Sequence, residues 1–159
     1  MSYIRLANLF QVFPANGTTD ELRFFNSLPG EVLAYDGMRW PYLSFIYQGA
    51  AKNRTGDNLE AQLILPVNDL SNGFAYEAVR DRKRIKVYSV VMDDDTFGNT
   101  VNRVLATEEW LASSLSYDNE KLEVLLSSAI DAVGANAPTR VLTRELVGHL
   151  PVSASIQTL

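Results

Sequence analysis

Apolar and polar positions alternate with period two along most of this chain. In "LEAQLIL", residues 59–65, Leu59, Ala61, Leu63 and Leu65 fall on one side and Glu60 and Gln62 on the other, the pattern of a strand with one buried face. "KLEVLLS", 121–127, repeats it, with Leu122, Val124 and Leu126 predicted inward and Lys121, Glu123 and Ser127 outward. "RIKVYSVVM", 84–92, differs, because Ile85, Val87 and Val91 alternate with Tyr88, Val90 and Met92 and leave both faces apolar. Such a strand sits centrally, covered on two sides. Further strands are predicted at 3–13, 21–26, 31–36, 43–48, 101–117 (bent or split) and 139–147.

Turn chemistry separates these segments: "ANGTTD", "LPG", "YDG", "KNRTGDN", "DDDTFGN" and "SYDNEK" all supply residues that tolerate tight backbone. One stretch breaks the alternation. In "NDLSNGFAYEAVRDR", Leu70, Phe74 and Ala78 recur at helical spacing, Asn68 or Asp69 can cap the first turn, and Arg80 and Arg82 suit the C-terminal end. Gly73 works against that helix. The predicted fold is mainly β, an antiparallel sandwich or small barrel of eight or nine short strands with one α-helix at about residues 69–82, in a single domain over 1–159.

Composition narrows the function more than it extends it. Hydrophobic residues make up 47% of the 159 and charged ones 21%, enough apolar surface to build one real core. There is no cysteine, which removes disulfides, cysteine zinc sites and iron–sulfur clusters, and a single histidine, His149, which removes a histidine metal cluster. The net charge of −5 opposes the counterion release that drives most nucleic-acid binding, so no direct nucleic-acid contact is expected. No window approaches the roughly 18 apolar residues of a membrane span, and the opening "MSYIRLANLFQVF" lacks the small-residue cleavage site of a signal peptide.

Four places carry candidate chemistry. Asp93, Asp94 and Asp95 could offer oxygens to a hard cation, but three consecutive residues do not aim at one point and the spacing of a calcium loop is missing, so a plain Asp-rich turn is the weightier reading. Arg80, Arg82, Lys83, Arg84 and Lys86 surround one acid, Asp81, as a partner contact or as a solvated helix end leading into a strand. Trp40, Tyr42, Phe45 and Tyr47 could stack on sugar rings, although core packing or a subunit contact is the commoner use of strand aromatics. His149 has Ser153 and Ser155 nearby but no orienting acid and no G-x-S-x-G elbow, which argues against nucleophilic catalysis and against an enzyme.

The succession of pieces is itself informative. The hairpin "IRLANLFQVFPANGTTDELRFFNS", the tight turn in "LAYDGMRWPYLSF", then "GDNLEAQLILPVND", the helix, "KRIKVYSVVM" and the paired strands ending "LEVLLSSAIDAVGANAPTRVL" follow in order over residues 4–151. This succession resembles the N-terminal β-domain of the minor tail protein L family of long-tailed bacteriophages and related short tail-tip or hub adaptors. "SSAIDAVGANAPTR" is its most telling part, since these proteins tend to leave their last core strand through a small-residue stretch with a Gly-Ala and a Pro or Arg. Longer members of that family carry a cysteine-rich region for an iron–sulfur cluster; this chain has no cysteine, so no cluster is carried over and no cofactor is expected.

The resemblance implies a structural virion protein, made in the host cytoplasm and placed in the phage tail, where trimer or hexamer rings join the tube end to the central hub or fibre. Its partners would be copies of itself and other tail proteins, with no membrane. Residues 131–140, low in bulk and stiffened by Pro138, are the expected subunit interface, with Asp131, Ala135, Asn136, Pro138 and Arg140 as its candidates. An alternative of another class is a carbohydrate-binding β-sandwich from a receptor-recognition module, for which the exposed aromatics would be the stacking platform.

Overall fold

The computed structural model describes residues 4–49, 60–95 and 98–128. Along these residues run β1 (Ile4–Phe13), β2 (Leu22–Phe25), β3 (Val32–Tyr35), β4 (Met38–Pro41), β5 (Ile46–Gln48), β6 (Glu60–Pro66), α1 (Asp69–Arg80), β7 (Arg84–Asp95), β8 (Gly98–Tyr117) and β9 (Lys121–Ser127). The fold is mainly β, antiparallel, with one helix, as the alternation predicts; of the two architectures expected, it is the sandwich-like one, because the sheet does not close into a barrel. Seven strands form one sheet in the order β2-β1-β7-β8-β9-β6-β5, and β3 with β4 makes a separate hairpin.

β8 is the joint of the molecule. β7 pairs with its residues Gly98 to Leu111 and β9 with Leu111 to Tyr117, so Leu111 alone has a ladder partner on both sides. Three residues of β8, Asn102, Leu105 and Ser113, are skipped by the partner strands. Each such bulge adds bend and right-handed twist. A bent strand can leave one ribbon of a sandwich and enter the other. Residues 101–117, expected as bent or split, are thus one bent strand.

The larger core lies where the two ribbons face each other. Phe10, Val12, Ile85 and Val87 come from the first ribbon, β2-β1-β7 with the start of β8; Ala61, Leu63, Leu65, Leu122, Val124 and Leu126 come from the second, the end of β8 with β9-β6-β5. Phe74, Ala75 and Ala78 of α1 close it. The Phe10 ring meets Phe45 edge-on at 4.8 Å and Phe74 in a stack at 5.6 Å. Full burial of side chains this size is worth about 1.5–3 kcal/mol each.

The helix starts where predicted and stops two residues early. Asn68 is the N-cap, its side chain accepting from the Ser71 N–H at 2.8 Å. At the other end Arg82 turns to φ +47°, the Lys83 N–H reaches the Ala78 carbonyl at 2.8 Å and the Arg82 N–H reaches that of Val79 at 3.3 Å. This paired closure uses up the last carbonyls and ends the helix at Arg80. The buried stripe is Ser71, Phe74, Ala75 and Ala78, whereas Leu70 is 50% exposed. A row spaced by four residues rotates about 40° per step on a 3.6-residue helix, which carries Leu70 to the margin of that stripe.

A second core occupies the opposite face of the first ribbon, where Leu33 and Trp40 of the hairpin and Phe25 pack on Ala7, Leu9, Val90 and Met92. With Ile85 and Val87 in one core and Val90 and Met92 in the other, β7 is covered on two sides as its sequence predicts. The hairpin turns at Asp36 (φ 53°) and Gly37 (φ 71°), two consecutive left-handed residues that match strand twist.

Two sequence expectations need correction here. A strand at 43–48 begins only at Ile46, while Met38–Pro41 forms one that alternation did not reveal. Leu43 and Phe45 are core residues on a crossing segment, held by the Leu43 N–H to the Phe25 carbonyl at 2.9 Å. Ser127, expected outward, is 5% exposed, because it is flanked on both sides by Leu111 and Glu60 at the joint of the ribbons.

Candidate interaction surface

The aspartate triplet lies at the end of β7 and not in a turn. Asp93 lies on β7 and accepts a hydrogen bond from the Asn102 side chain across the β7–β8 ladder. Among the described residues no three His, Cys, Asp or Glu side chains gather where a metal ion could be held.

Four of the five cations in the basic run are answered inside the chain, and Arg82 is exposed. Arg80 makes two 2.8 Å bonds to Asp81, Lys83 reaches Glu21 at 2.5 Å and Glu77 at 3.5 Å, and Arg84 holds Glu109 at 2.8 Å and the Gly17 carbonyl at 2.5 Å. Lys86 lies over the Tyr88 ring at 5.4 Å. The hydrogen bond from Lys83 to Glu21 holds its ammonium pKa above the ordinary value, against the opposing effect of burial. The run forms a helix end leading into a strand, with Lys83 and Arg84 acting as ties to the β1–β2 turn.

The aromatic cluster is also spoken for. Trp40 is 1% exposed and donates its indole N–H to the Tyr35 carbonyl at 3.2 Å, and Phe45 is buried under the helix. Trp110 donates to the Tyr47 hydroxyl at 2.9 Å, and that hydroxyl donates in turn to Glu108. Burial, then the hydrogen bond to Glu108, hold the Tyr47 phenol pKa well above its ordinary value. Trp40, Phe45 and Tyr47 thus serve packing, and half-buried Tyr42 meets the Phe25 ring edge-on at 6.0 Å. His149, Ser153, Ser155, the strand expected at 139–147 and the interface candidates Asp131, Ala135, Asn136, Pro138 and Arg140 all lie outside the described residues.

What remains open is backbone. From Gly98 to Trp110, β8 pairs with β7 along one side, and no described strand lines the other. Residues 102–107 are exposed throughout, Leu105 to 52%. On the far side of the same arm, the β2 ladder covers only Leu9 to Val12 of β1. It ends at Asn8, whose N–H is capped by the Asn26 side chain at 2.8 Å, leaving Ile4 (73% exposed) and Leu6 (74%) beyond it. The arm of β1, β7 and β8 therefore has one face under the hairpin, an opposite face on which Ile4 and Leu6 are exposed, and an edge with no partner among the described residues.

Such an edge can accept another strand, backbone to backbone. Sequence reading missed it, although a signal was present: alternation fails at Val104-Leu105-Ala106, where the bulge falls, and a 20-residue strand far exceeds the usual length. No protein-family model and no curated protein sequence matches this chain, so the arm has to be read from its own chemistry.

Proposed function

We propose that this chain is a structural component of a long-tailed bacteriophage tail, an adaptor of the tail tip or baseplate hub. In this reading three or six copies form a ring that joins the end of the tail tube to the central hub or fibre, without catalysis or cofactor. One observation carries it: a core satisfied on both faces of β7 stands next to an arm whose β8 edge, from Gly98 to Trp110, has no described partner. A long β edge left open is an aggregation hazard unless assembly covers it. The succession of sequence motifs over residues 4–151, with the small-residue stretch "SSAIDAVGANAPTR", adds the family resemblance. The carbohydrate-binding alternative draws on free aromatics, and Trp40 and Trp110 are packed inside.

The test is assembly and location. Native mass spectrometry of the full chain mixed with neighbouring tail proteins should give complexes containing three or six copies, and antibody labelling should mark one end of the tail in intact virions. Absence of the label from the particles, together with no complex of any stoichiometry, overturns the reading.

A further inference from the structure

The exposed stretch of β8 is close to its own mirror in both facing and charge. Arg103 stands beside Val91, Val104 beside Val90, Ala106 beside Ser89, Thr107 beside Tyr88 and Glu108 beside Val87, with Leu105 the extra residue. Val87, Ser89 and Val91 share one face of β7, so Arg103, Ala106 and Glu108 share one face of β8 while Val104 and Thr107 share the other. Turned end for end about the midpoint of Leu105 and Ala106, the strand sets Arg103 against Glu108 and Val104 against Thr107, each pair on a common face. Arg103 is exposed and forms no ion pair within the described residues. Glu108 is held at the edge by the hydroxyl of Tyr47. From Gly98 to Trp110 the edge contains no lysine or proline to repel a second strand.

We propose that in the free protein two copies pair edge to edge and antiparallel through residues 103–108 of β8, Arg103 of each copy facing Glu108 of the partner subunit. A two-fold contact of this kind closes at two copies and does not propagate. It covers the edge until tail partners compete for it, and the bulge at Leu105 keeps the new ladder short, so the pair remains separable. The inference rests on the reading of the chain as an assembling protein, and it adds a surface and an occupant.

Sedimentation of the full chain over a dilution series should show a monomer–dimer equilibrium. Arg103→Glu sets like charges together twice and should weaken pairing by about tenfold or more. Arg103→Glu combined with Glu108→Arg should return it to within about threefold of the original, since the charges are exchanged and their complementarity kept. Because the chain has no cysteine, chains carrying Leu105→Cys mixed with chains carrying Ala106→Cys should form the mixed disulfide dimer under mild oxidation. A strictly monomeric free chain overturns the pair, whether the edge is covered by the chain's own later residues or by nothing, and leaves the ring reading standing if rings still form with tail proteins. A dimer indifferent to Arg103→Glu that yields no mixed disulfide likewise overturns this contact. A charge-sensitive dimer from a protein absent from virions supports the pair and overturns the tail role alone.

Discussion

Two stretches of β8 sit within ten residues of each other and live in different surroundings. Around the joint, Trp110 is 6% and Ala112 1% exposed, because both ribbons and α1 converge there. Upstream, Val104 and Leu105 are 36% and 52% exposed, with β7 on one side and no described strand on the other. Both stretches are apolar. The contrast teaches that in this fold burial follows the bend of β8 and not the hydrophobicity of its residues, so two parts of one strand bear unequally on stability.

The sharpest way to break the contrast is at the joint. Trp110→Ala removes a ring wedged between the ribbons and the partner of the Tyr47 hydroxyl, and should cost about 3–5 kcal/mol in urea unfolding. An equal cost for a change in the exposed stretch would show the two are not distinct.

A smaller effect comes from the β1–β2 turn, which braces the first ribbon. Hydrogen bonds from Arg23 to Asp20, at 2.5 and 2.6 Å, hold the Asp20 carboxyl below its ordinary value of 3.8. A depressed folded-state value means the stabilisation is complete above the ordinary value and is lost as pH falls through the folded one. Asp20→Asn should therefore lower stability at pH 7 by about 1 kcal/mol or less and flatten the decline of unfolding free energy below about pH 4.

Over the joint, the helix can be stiffened. A Cβ at Gly73 meets nothing within 4 Å, so Gly73→Ala should raise the melting temperature, with a gain of about 0.5–1 kcal/mol from the reduced freedom of the unfolded chain. The least effect belongs to the exposed stretch: Leu105→Ser should change the unfolding free energy of the monomer by no more than about 0.5 kcal/mol. Measured in dilute solution, that near-neutral result against the large Trp110 effect would confirm that the two stretches bear unequally on stability.

Much of the fold was legible. Alternation found the strands that build the large core, the two apolar faces of residues 84–92 marked the central strand, and Asn68 with the Leu70-Phe74-Ala78 spacing located the helix. Short-range chemistry suffices for these, since a pleat or a helical turn is decided within a few residues. The Met38–Pro41 strand was not legible, because its Trp40 is buried by a sheet distant in sequence. Nor were the pairing partners of the basic residues: Lys83 and Glu21 are 62 positions apart.

The amino-acid sequence by itself determined the class of this protein: mainly β, one helix, without cysteine chemistry. Only the tertiary structure decided that β8 passes from one ribbon to the other and that, among the described residues, no strand lines one side of its first half. An edge is defined by the strand that is missing beside it, and that depends on where bulges bend the chain and where β9 stops, quantities set by packing between segments and written in no single one of them.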